Sequence, residues 1–230
     1  MHGDLLDCRL SRLNVNYMSL KETLERIREE LAKKDKSRQE IQMATRRAAR
    51  LSKQAIFQIH KENLEKAKET LKEAKKILEG IESIANDYPD LLYVGSIDSA
   101  FQEYAEANIL LGLIEESRFV SFEELEVPMS SYVLGLADVV GELRRRALES
   151  LRKGGISEAE ECLRLMESIY EEIINLEEIQ VLISGLRRKC DTARRIIEAT
   201  RAEIMIESGR ISLERKITEL RRRLDERMRG

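Results

Sequence analysis

Proline is nearly absent from this chain, and its scarcity limits the possible folds more than any other feature of the sequence. The 230 residues contain two prolines, Pro89 and Pro128, and 11 glycines. Charged residues make up 36% of the chain and hydrophobic residues 42%, with aromatic residues at 4% and no tryptophan. Because proline and glycine are the residues that most disfavour helix interiors, this mixture favours long amphipathic helices over strands.

The spacing of apolar residues predicts where the first helices lie. A helix begins near Ser19 and is interrupted by the charged run at residues 33–36. Residues 37–87 then have helix-forming composition, broken only by Gly80. The later part of this segment has apolar residues three and four apart, typical of a bundle or coiled-coil seam: Leu64, Ala67, Leu71, Ala74, Leu78 and Ile81.

Capping and stop signals divide the second half of the chain. A helix capped by Ser96 or Asp98 is predicted to reach about Ser117, and capping-box spacings occur at residues 121–124 and 157–160. A helix that opens at Ser130 or Ser131 should end at the Lys153-Gly154-Gly155 sequence. The remaining stops are predicted at Gly185 and at Ser208-Gly209.

These signals give about seven helices and no strand, without a linker that would divide them. The sequence therefore predicts a single-domain all-α bundle over residues 18–230, preceded by a flexible arm over residues 1–17. The three cysteines, Cys8, Cys162 and Cys190, form no Cys-x-x-Cys pair, which indicates free thiols. With no signal-peptide pattern and no apolar run of ~18 residues, a soluble cytoplasmic protein without membrane contact is expected.

Two predicted helices carry paired carboxylates. Glu103 and Glu106 are three residues apart, and Asp138 and Glu142 are four apart, so each pair lies on one helical face. Most glutamates of this chain are explained by solvated helix faces, but Asp138 stands in an almost wholly apolar stretch. A charge there is costly unless it binds a metal or forms an ion pair, for example with an arginine. Both interpretations of Asp138 are open at this point.

If the four acids converge, their oxygens select a hard cation such as Mg²⁺ or Mn²⁺. A di-iron bundle site needs Glu-x-x-His pairs, and neither His2 nor His60 follows a glutamate at that spacing. There is no His/Cys set for zinc and no Walker or dinucleotide motif. Gly112, Gly135 and Gly141 lie within helical patterns, where close helix packing explains them better than phosphate binding.

A basic segment precedes the acidic one. Residues 45–61 contain five Lys or Arg residues and no acid, whereas residues 98–126 contain eight acids and one base. Arg46, Arg50 and Lys53 share one helical face and could bind phosphates beside a metal site. A solvated face that pairs with acids elsewhere explains the same pattern equally well.

Three motifs together resemble the translin family. Tyr132-x-x-Gly-Leu-Ala-Asp-x-x-Gly-Glu-Leu-Arg144 is similar to its signature helix, most closely in the translin-associated factor X branch. Gln102-Glu-Tyr-Ala-Glu-Ala107 resembles the other acidic helix of that branch, and Ser52-Lys-x-x-Ile-Phe-x-x-His-Lys61 the early basic helix of the family. The likeness extends more thinly over residues 20–205.

The resemblance implies a seven-helix fold that assembles into a ring or hollow barrel and binds single-stranded RNA or DNA. In the factor X branch it implies a Mg²⁺-dependent endoribonuclease whose four catalytic, metal-binding acids match Glu103, Glu106, Asp138 and Glu142. Lys53, His60 and Lys61 match basic positions of the family. The expected protein is a homo-oligomer that cleaves short or single-stranded RNA.

Three other interpretations of the sequence remain open. A non-catalytic binder of single-stranded RNA or DNA, like translin itself, would show affinity without turnover. An all-α nucleotide pyrophosphohydrolase also uses helical acids with Mg²⁺, but Glu115-Glu116 and Glu123-Glu124 match its denser Glu-Glu-x-x-Glu pattern poorly. A structural coiled-coil protein would explain the apolar seams but not Asp138.

Overall fold

The structure is a computed structural model that describes residues 17–85, 87–93, 96–176 and 181–229. Within these ranges it consists of seven α-helices, one 3₁₀ helix and a short 3₁₀ segment at residues 181–182, without a strand. The α-helices are Tyr17–His60 (α1), Leu64–Ala85 (α2), Ser96–Glu115 (α3), Phe122–Leu125 (α4), Met129–Arg152 (α5), Ile156–Ile174 (α6) and Leu186–Arg229 (α7), and the 3₁₀ helix is Pro89–Tyr93. The predicted all-α fold is confirmed.

Helices α3 and α5 lie at the centre of the bundle. Helix α1 packs against α2 and α3, α3 packs against α5, and α5 packs against α6 and α7. The predicted seam of α2 is buried from Ala67 to Ile81, and the core is built mostly of aliphatic side chains and alanine. No helix in the described ranges is both long and apolar enough to cross a membrane.

The turn between α1 and α2 was not predicted, because it contains neither glycine nor proline. Glu62 adopts a left-handed conformation with a φ of 61°. The amide of Asn63 donates to the carbonyl of Gln58 at 3.0 Å, and the Asn63 carbonyl accepts from the amide of Ala67 at 3.1 Å. Backbone hydrogen bonds therefore end one helix and begin the next without a specialised residue.

Some predicted boundaries are confirmed and others are wrong. Ser121 and Glu124 form the predicted capping box of α4, but Gly155, not Ser157, is the N-cap of α6. The charged run at residues 33–36 does not interrupt α1, and Ser208-Gly209 does not interrupt α7. Both segments lie on solvated helix surface, where charge and a single glycine are tolerated.

The predicted arm over residues 1–17 lies outside the described residues, apart from Tyr17, where α1 begins. Cys8 lies outside them as well. Cys162 and Cys190 are free and buried, as expected. Burial raises the pKa of the Cys162 thiol to about 11, so this cysteine is a poor nucleophile at neutral pH.

Replacement of Gly209 tests the continuity of α7. No atom lies within 4 Å of a Cβ built at this glycine. Gly209→Ala should therefore raise the helical circular dichroism signal and stabilise α7 locally by about 0.5–1 kcal/mol. A loss of helical signal would indicate that residue 209 adopts a left-handed helix-ending conformation instead.

Candidate four-carboxylate site

Helices α3 and α5 approach each other unusually closely at Gly135. A Cβ at this position would lie 2.7 Å from the Gln102 carbonyl oxygen and 3.0 Å from the Glu106 amide nitrogen. Both neighbours are backbone atoms, so neither can move away without shifting the helix. The absence of a side chain at Gly135 therefore sets the distance between the two acid-bearing helices.

The four predicted acids line one open groove of about 460 Å³ between these helices and α1. Two acids come from α3 and two from α5, each pair on the helical face that the sequence spacing predicted. The other groove residues are a basic and apolar set from α1 and α5. The full lining is Lys53, Ile56, Phe57, Glu103, Glu106, Asp138, Glu142 and Arg145.

Two of the acids are held by basic residues of α1. The Lys53 ammonium lies 3.0 Å from the Glu103 carboxylate. The His60 imidazole Nε2 lies 2.5 Å from the Glu142 carboxylate, and Arg145 lies 3.8 Å from the same group. The basic segment of α1 is thus placed directly against the acidic groove.

Asp138 has two partners, and neither was predicted. The Gln102 amide donates a hydrogen bond of 2.5 Å to one carboxylate oxygen, and the Lys189 ammonium pairs with the other. Asp138 therefore does take part in an ion pair, but with a lysine of α7 rather than an arginine. It also lines the groove, so its carboxylate becomes available to a metal when Lys189 is displaced.

Glu106 differs from the other three acids because its carboxyl makes no hydrogen bond or ion pair with any described residue. Its side chain is only 8% exposed. Burial and the charges of Asp138, Glu103 and Glu142 raise its pKa to about 9. Glu106 is therefore protonated at neutral pH in the structure as it stands.

The four carboxylates of the groove are suitable ligands for a hard divalent cation, but their side chains are not positioned to share one ion. Four carboxylates are the oxygen ligands that Mg²⁺ and Mn²⁺ prefer. Within the part of the chain that the structure describes, however, no three acidic, His or Cys side chains are close enough to share an ion. Metal binding requires the acids paired with Lys53, His60 and Lys189 to turn towards Glu106.

The remaining predicted basic residues lie along α1 and just beyond it. Arg46 and Arg50 are exposed and form no ion pair within the described ranges. They extend the face that carries Lys53 towards the N-terminal end of the helix. Lys61 follows the last residue of α1, and its ammonium lies over the Phe57 ring, 4.4 Å from the ring centroid.

Two site residues were missed from the sequence. Gln102 directly precedes Glu103 within the recognised acidic motif, so its proximity could have been noticed. Lys189 belongs to the basic run Arg187-Arg188-Lys189 at the start of α7 and is separated from Asp138 by 51 residues. No helical spacing connects the two residues, because only the packing of α7 on α5 brings them together.

The glycine predictions have mixed outcomes. Close packing is confirmed at Gly135, and also at Gly112, where a Cβ would lie 2.6 Å from the Val120 side chain. It is wrong at Gly141, because no atom lies within 4 Å of a Cβ built there. Gly141 instead lines a second cavity, of about 180 Å³, beside Asp138 and Lys189.

Comparison with known proteins agrees with this fold. Residues 21–199 match the model of the Translin family. The chain belongs to the translin family. This translin-family chain is 35% identical over 177 residues to the uncharacterised protein MJ0175 of Methanocaldococcus jannaschii, covering 76% of the chain and 78% of the relative.

Three solved C3PO structures are similar to this translin-family chain. Apo-NeC3PO superposes with a TM-score of 0.72 at 30% identity, covering 80% of the chain and 96% of that structure. AfC3PO superposes with a TM-score of 0.72 at 35% identity, covering 81% and 97%. AfC3PO in a complex with duplex RNA also has a TM-score of 0.72, at 34% identity with the same coverage.

The raised pKa of Glu106 predicts a pH-dependent effect of Glu106→Gln on stability. Between pH 4.5 and about 9 the folded protein retains a proton that the unfolded chain has lost. The wild type therefore loses stability as pH rises through this window. In EDTA, Glu106→Gln should be nearly neutral at about pH 5 and raise the free energy of unfolding by ~2–4 kcal/mol at about pH 8. Urea unfolding measures both values, and an equal effect at the two pH values would contradict the assignment.

Proposed function

We propose that this protein is a Mg²⁺-dependent endoribonuclease of the translin-associated factor X type, acting on short or single-stranded RNA. The observation that carries the proposal is Glu106. Its carboxyl is buried beside three other acids without a hydrogen-bond or ion-pair partner among the described residues, and such burial costs free energy of folding. A divalent cation would offset that cost, as expected of a site selected for binding rather than for stability.

Charges around the groove support RNA as the ligand. Arg46 and Arg50 present exposed charge on the face of α1 that continues to Lys53 at the groove edge. Backbone phosphates bound along this face would pass directly over the acids. The AfC3PO complex with duplex RNA supports nucleic acid as the ligand class within the family.

In the proposed mechanism, Glu103, Glu106, Asp138 and Glu142 hold one or two Mg²⁺ ions, with Mn²⁺ as a possible substitute. When bound, such an ion would supply an activated water and neutralise charge on the phosphate. Lys53 and Lys189, released from their carboxylates, would remain within reach of the phosphate oxygens. One of the four acids would accept the proton of the water as a general base.

We further propose that the protein acts as a homo-oligomer, in a ring or barrel. The N-terminal part of α1 exposes a helical stripe of Leu20, Leu24, Ile27 and Leu31. The distal part of α7 exposes Leu213, Ile217, Leu220 and Leu224. Such apolar stripes are typical of helix-pairing surfaces, and a second copy of the chain is the proposed occupant. Light scattering after size exclusion tests this, and a monomeric mass would overturn it.

The proposed activity is tested with a short, 5′-labelled single-stranded RNA. Cleavage within the strand should occur in Mg²⁺ or Mn²⁺ and stop in EDTA. Internal products that persist in EDTA, or that never form in any divalent ion, would overturn the proposal. The matching DNA strand serves as a control for the chemical class of substrate.

One observation favours a second candidate, the non-catalytic binder of single-stranded RNA or DNA. Lys53, His60 and Lys189 already pair with three of the acids within the chain itself. A groove in that state could bind nucleic acid without a metal. This candidate predicts equal RNA affinity in EDTA and Mg²⁺, with no cleavage in either.

The proposed path of RNA along the Arg46 face of α1 can be tested by mutation of Arg46. The neighbouring Arg47 lies on another face of the helix and is the matched control. Arg47 pairs with Glu73 of α2, whereas Arg46 has no ion-pair partner in the described ranges. Arg46→Ala should weaken RNA binding and reduce the slope of log affinity against log salt by about 0.7, the loss of one phosphate contact. Arg47→Ala should leave the slope unchanged. Equal slopes for Arg46→Ala and the wild type would contradict the path.

A further inference from the structure

Phe57 lies between two lysines on the exposed face of α1. Lys53 is one turn before it and Lys61 one turn after it, so the three side chains form a stripe at i, i+4 and i+8. Lys53 reaches the acidic groove, and Lys61 lies over the Phe57 ring. An aromatic ring between two cations is a pattern typical of nucleic-acid surfaces, where bases stack and phosphates pair with charge.

The exposure of Phe57 is not explained by packing within the chain. Its side chain is 48% exposed, while its neighbours Ile56 and Ile59 are 6% and 1% exposed. The helix thus buries its aliphatic residues and leaves its aromatic residue on the surface at the groove. The exposed ring beside charged side chains offers a flat, apolar face on which a base can stack.

A third space, the Phe57 cavity of about 190 Å³, adjoins the acidic groove at this point. Phe57 and Arg145 line both spaces, so they form the boundary between them. The acids that line the Phe57 cavity are Glu62, Glu149 and Glu158, and its bases are His60, Lys61, Arg145, Arg146 and Lys153. The cavity is therefore next to the acids of the site but has more bases than acids.

Two of these bases, Lys61 and Arg145, are available to bind an anion, because the other two long side chains are already engaged by acids. Arg146 is already paired with Glu158 at 2.6 Å, and Lys153 lies 3.7 Å from Glu149. Lys61 forms no ion pair within the described part of the chain, and Arg145 has only the contact of 3.8 Å to Glu142. Lys61, directly after α1, and Arg145, on α5, both line the cavity.

We propose that this cavity seats the nucleotide next to the bond that is cleaved, with its base stacked on Phe57 and its phosphate bound by Lys61 and Arg145. The inference rests on the proposed function, because it places the neighbouring phosphate in the acidic groove. Stacking uses the ring face that every base presents, so the seat selects a nucleotide without selecting its identity. It also defines the path of the strand across the groove, from Arg46 and Arg50 at one end to Lys153 at the other.

Abasic RNA tests the stacking contact directly. A set of short single-stranded RNAs, each lacking one base, is bound to the full-length protein in EDTA, where cleavage does not interfere. For the wild type, one abasic position should weaken binding by about 5- to 100-fold, the range of a single base–aromatic stack. Phe57→Ala should weaken binding of intact RNA by a similar factor and be insensitive to that abasic position. Phe57→Tyr, which keeps the ring, should behave as the wild type.

Phe119 provides the matched control, since it is 43% exposed and lines neither cavity. Phe119→Ala should retain wild-type affinity and the same abasic profile. The inference is overturned if the fold-losses in RNA affinity caused by Phe57→Ala and by every abasic position simply multiply when the two changes are combined. Independent losses would mean that no base contacts the Phe57 ring. It is also overturned if Phe57→Ala changes the oligomer mass, which would make Phe57 a subunit contact. If Phe57→Ala and one abasic position are coupled in RNA binding but no cleavage occurs in Mg²⁺, the proposed activity is overturned and the nucleotide seat is supported.

Discussion

Asp138→Asn is expected to reduce RNA cleavage by about 10³-fold or more while the protein remains folded and still binds RNA. The substitution keeps the size of the side chain and an oxygen that can accept from Gln102, but removes the charge. A neutral amide oxygen is a weak ligand for Mg²⁺, and the lost charge no longer stabilises an ion that neutralises the phosphate. Losses of this size are typical when one electrostatic contributor to a transition state is removed.

The measurement is the single-turnover cleavage rate in Mg²⁺, with circular dichroism and RNA affinity as checks on folding and binding. Asp98→Asn is the matched control, because Asp98 lies in the first turn of α3 with an exposed side chain outside the groove. It should cleave at the wild-type rate. Cleavage by Asp138→Asn within tenfold of the wild type would remove Asp138 from the proposed site.

Gly135→Ala is expected to destabilise the protein by about 1–3 kcal/mol and to reduce cleavage far more than this stability loss explains. The added methyl group would lie 2.7 Å from one backbone atom and 3.0 Å from another, so α5 must move away from α3. That movement separates Glu103 and Glu106 from Asp138 and Glu142. A displacement of ~1 Å at a catalytic site costs about 10²-fold in rate.

Gly141→Ala on the same helix provides the stability control. Nothing lies within 4 Å of the new methyl group, so the substitution should stabilise the helix by about 0.5–1 kcal/mol. Urea unfolding of both variants gives the comparison. Similar stabilities for the two alanine variants would show that close approach at Gly135 does not set the helix spacing.

Helical spacing explains why the placement of the four acids could be predicted from sequence. Residues three or four apart on a helix must share a face, so each acid pair required only that its segment be helical. Helical spacing left open whether the two pairs meet, and the apolar surroundings of Asp138 indicated only that its charge needs a metal or an ion-pair partner. The resemblance to the translin family then named the same four positions.

Contacts between helices that are far apart in sequence could not be predicted from helical spacing. Lys189 reaches Asp138 only because α7 packs on α5, and no local pattern in the sequence encodes that distance. The turn at Glu62 was missed for a related reason, since its left-handed conformation is stabilised by backbone hydrogen bonds rather than by glycine. Gly209 was misread as a stop because propensity alone does not distinguish a helix end from a solvated helix interior.

Anomalous scattering from crystals soaked in Mn²⁺ is the decisive test of the claim that the four carboxylates form a divalent-metal site. A peak is expected between Glu103, Glu106, Asp138 and Glu142, with the Lys189 ammonium displaced from Asp138. The same soak of Glu106→Gln crystals should weaken or abolish that peak. An ordered groove without a peak, with Lys53, His60 and Lys189 still paired to their acids at saturating Mn²⁺, would contradict the claim.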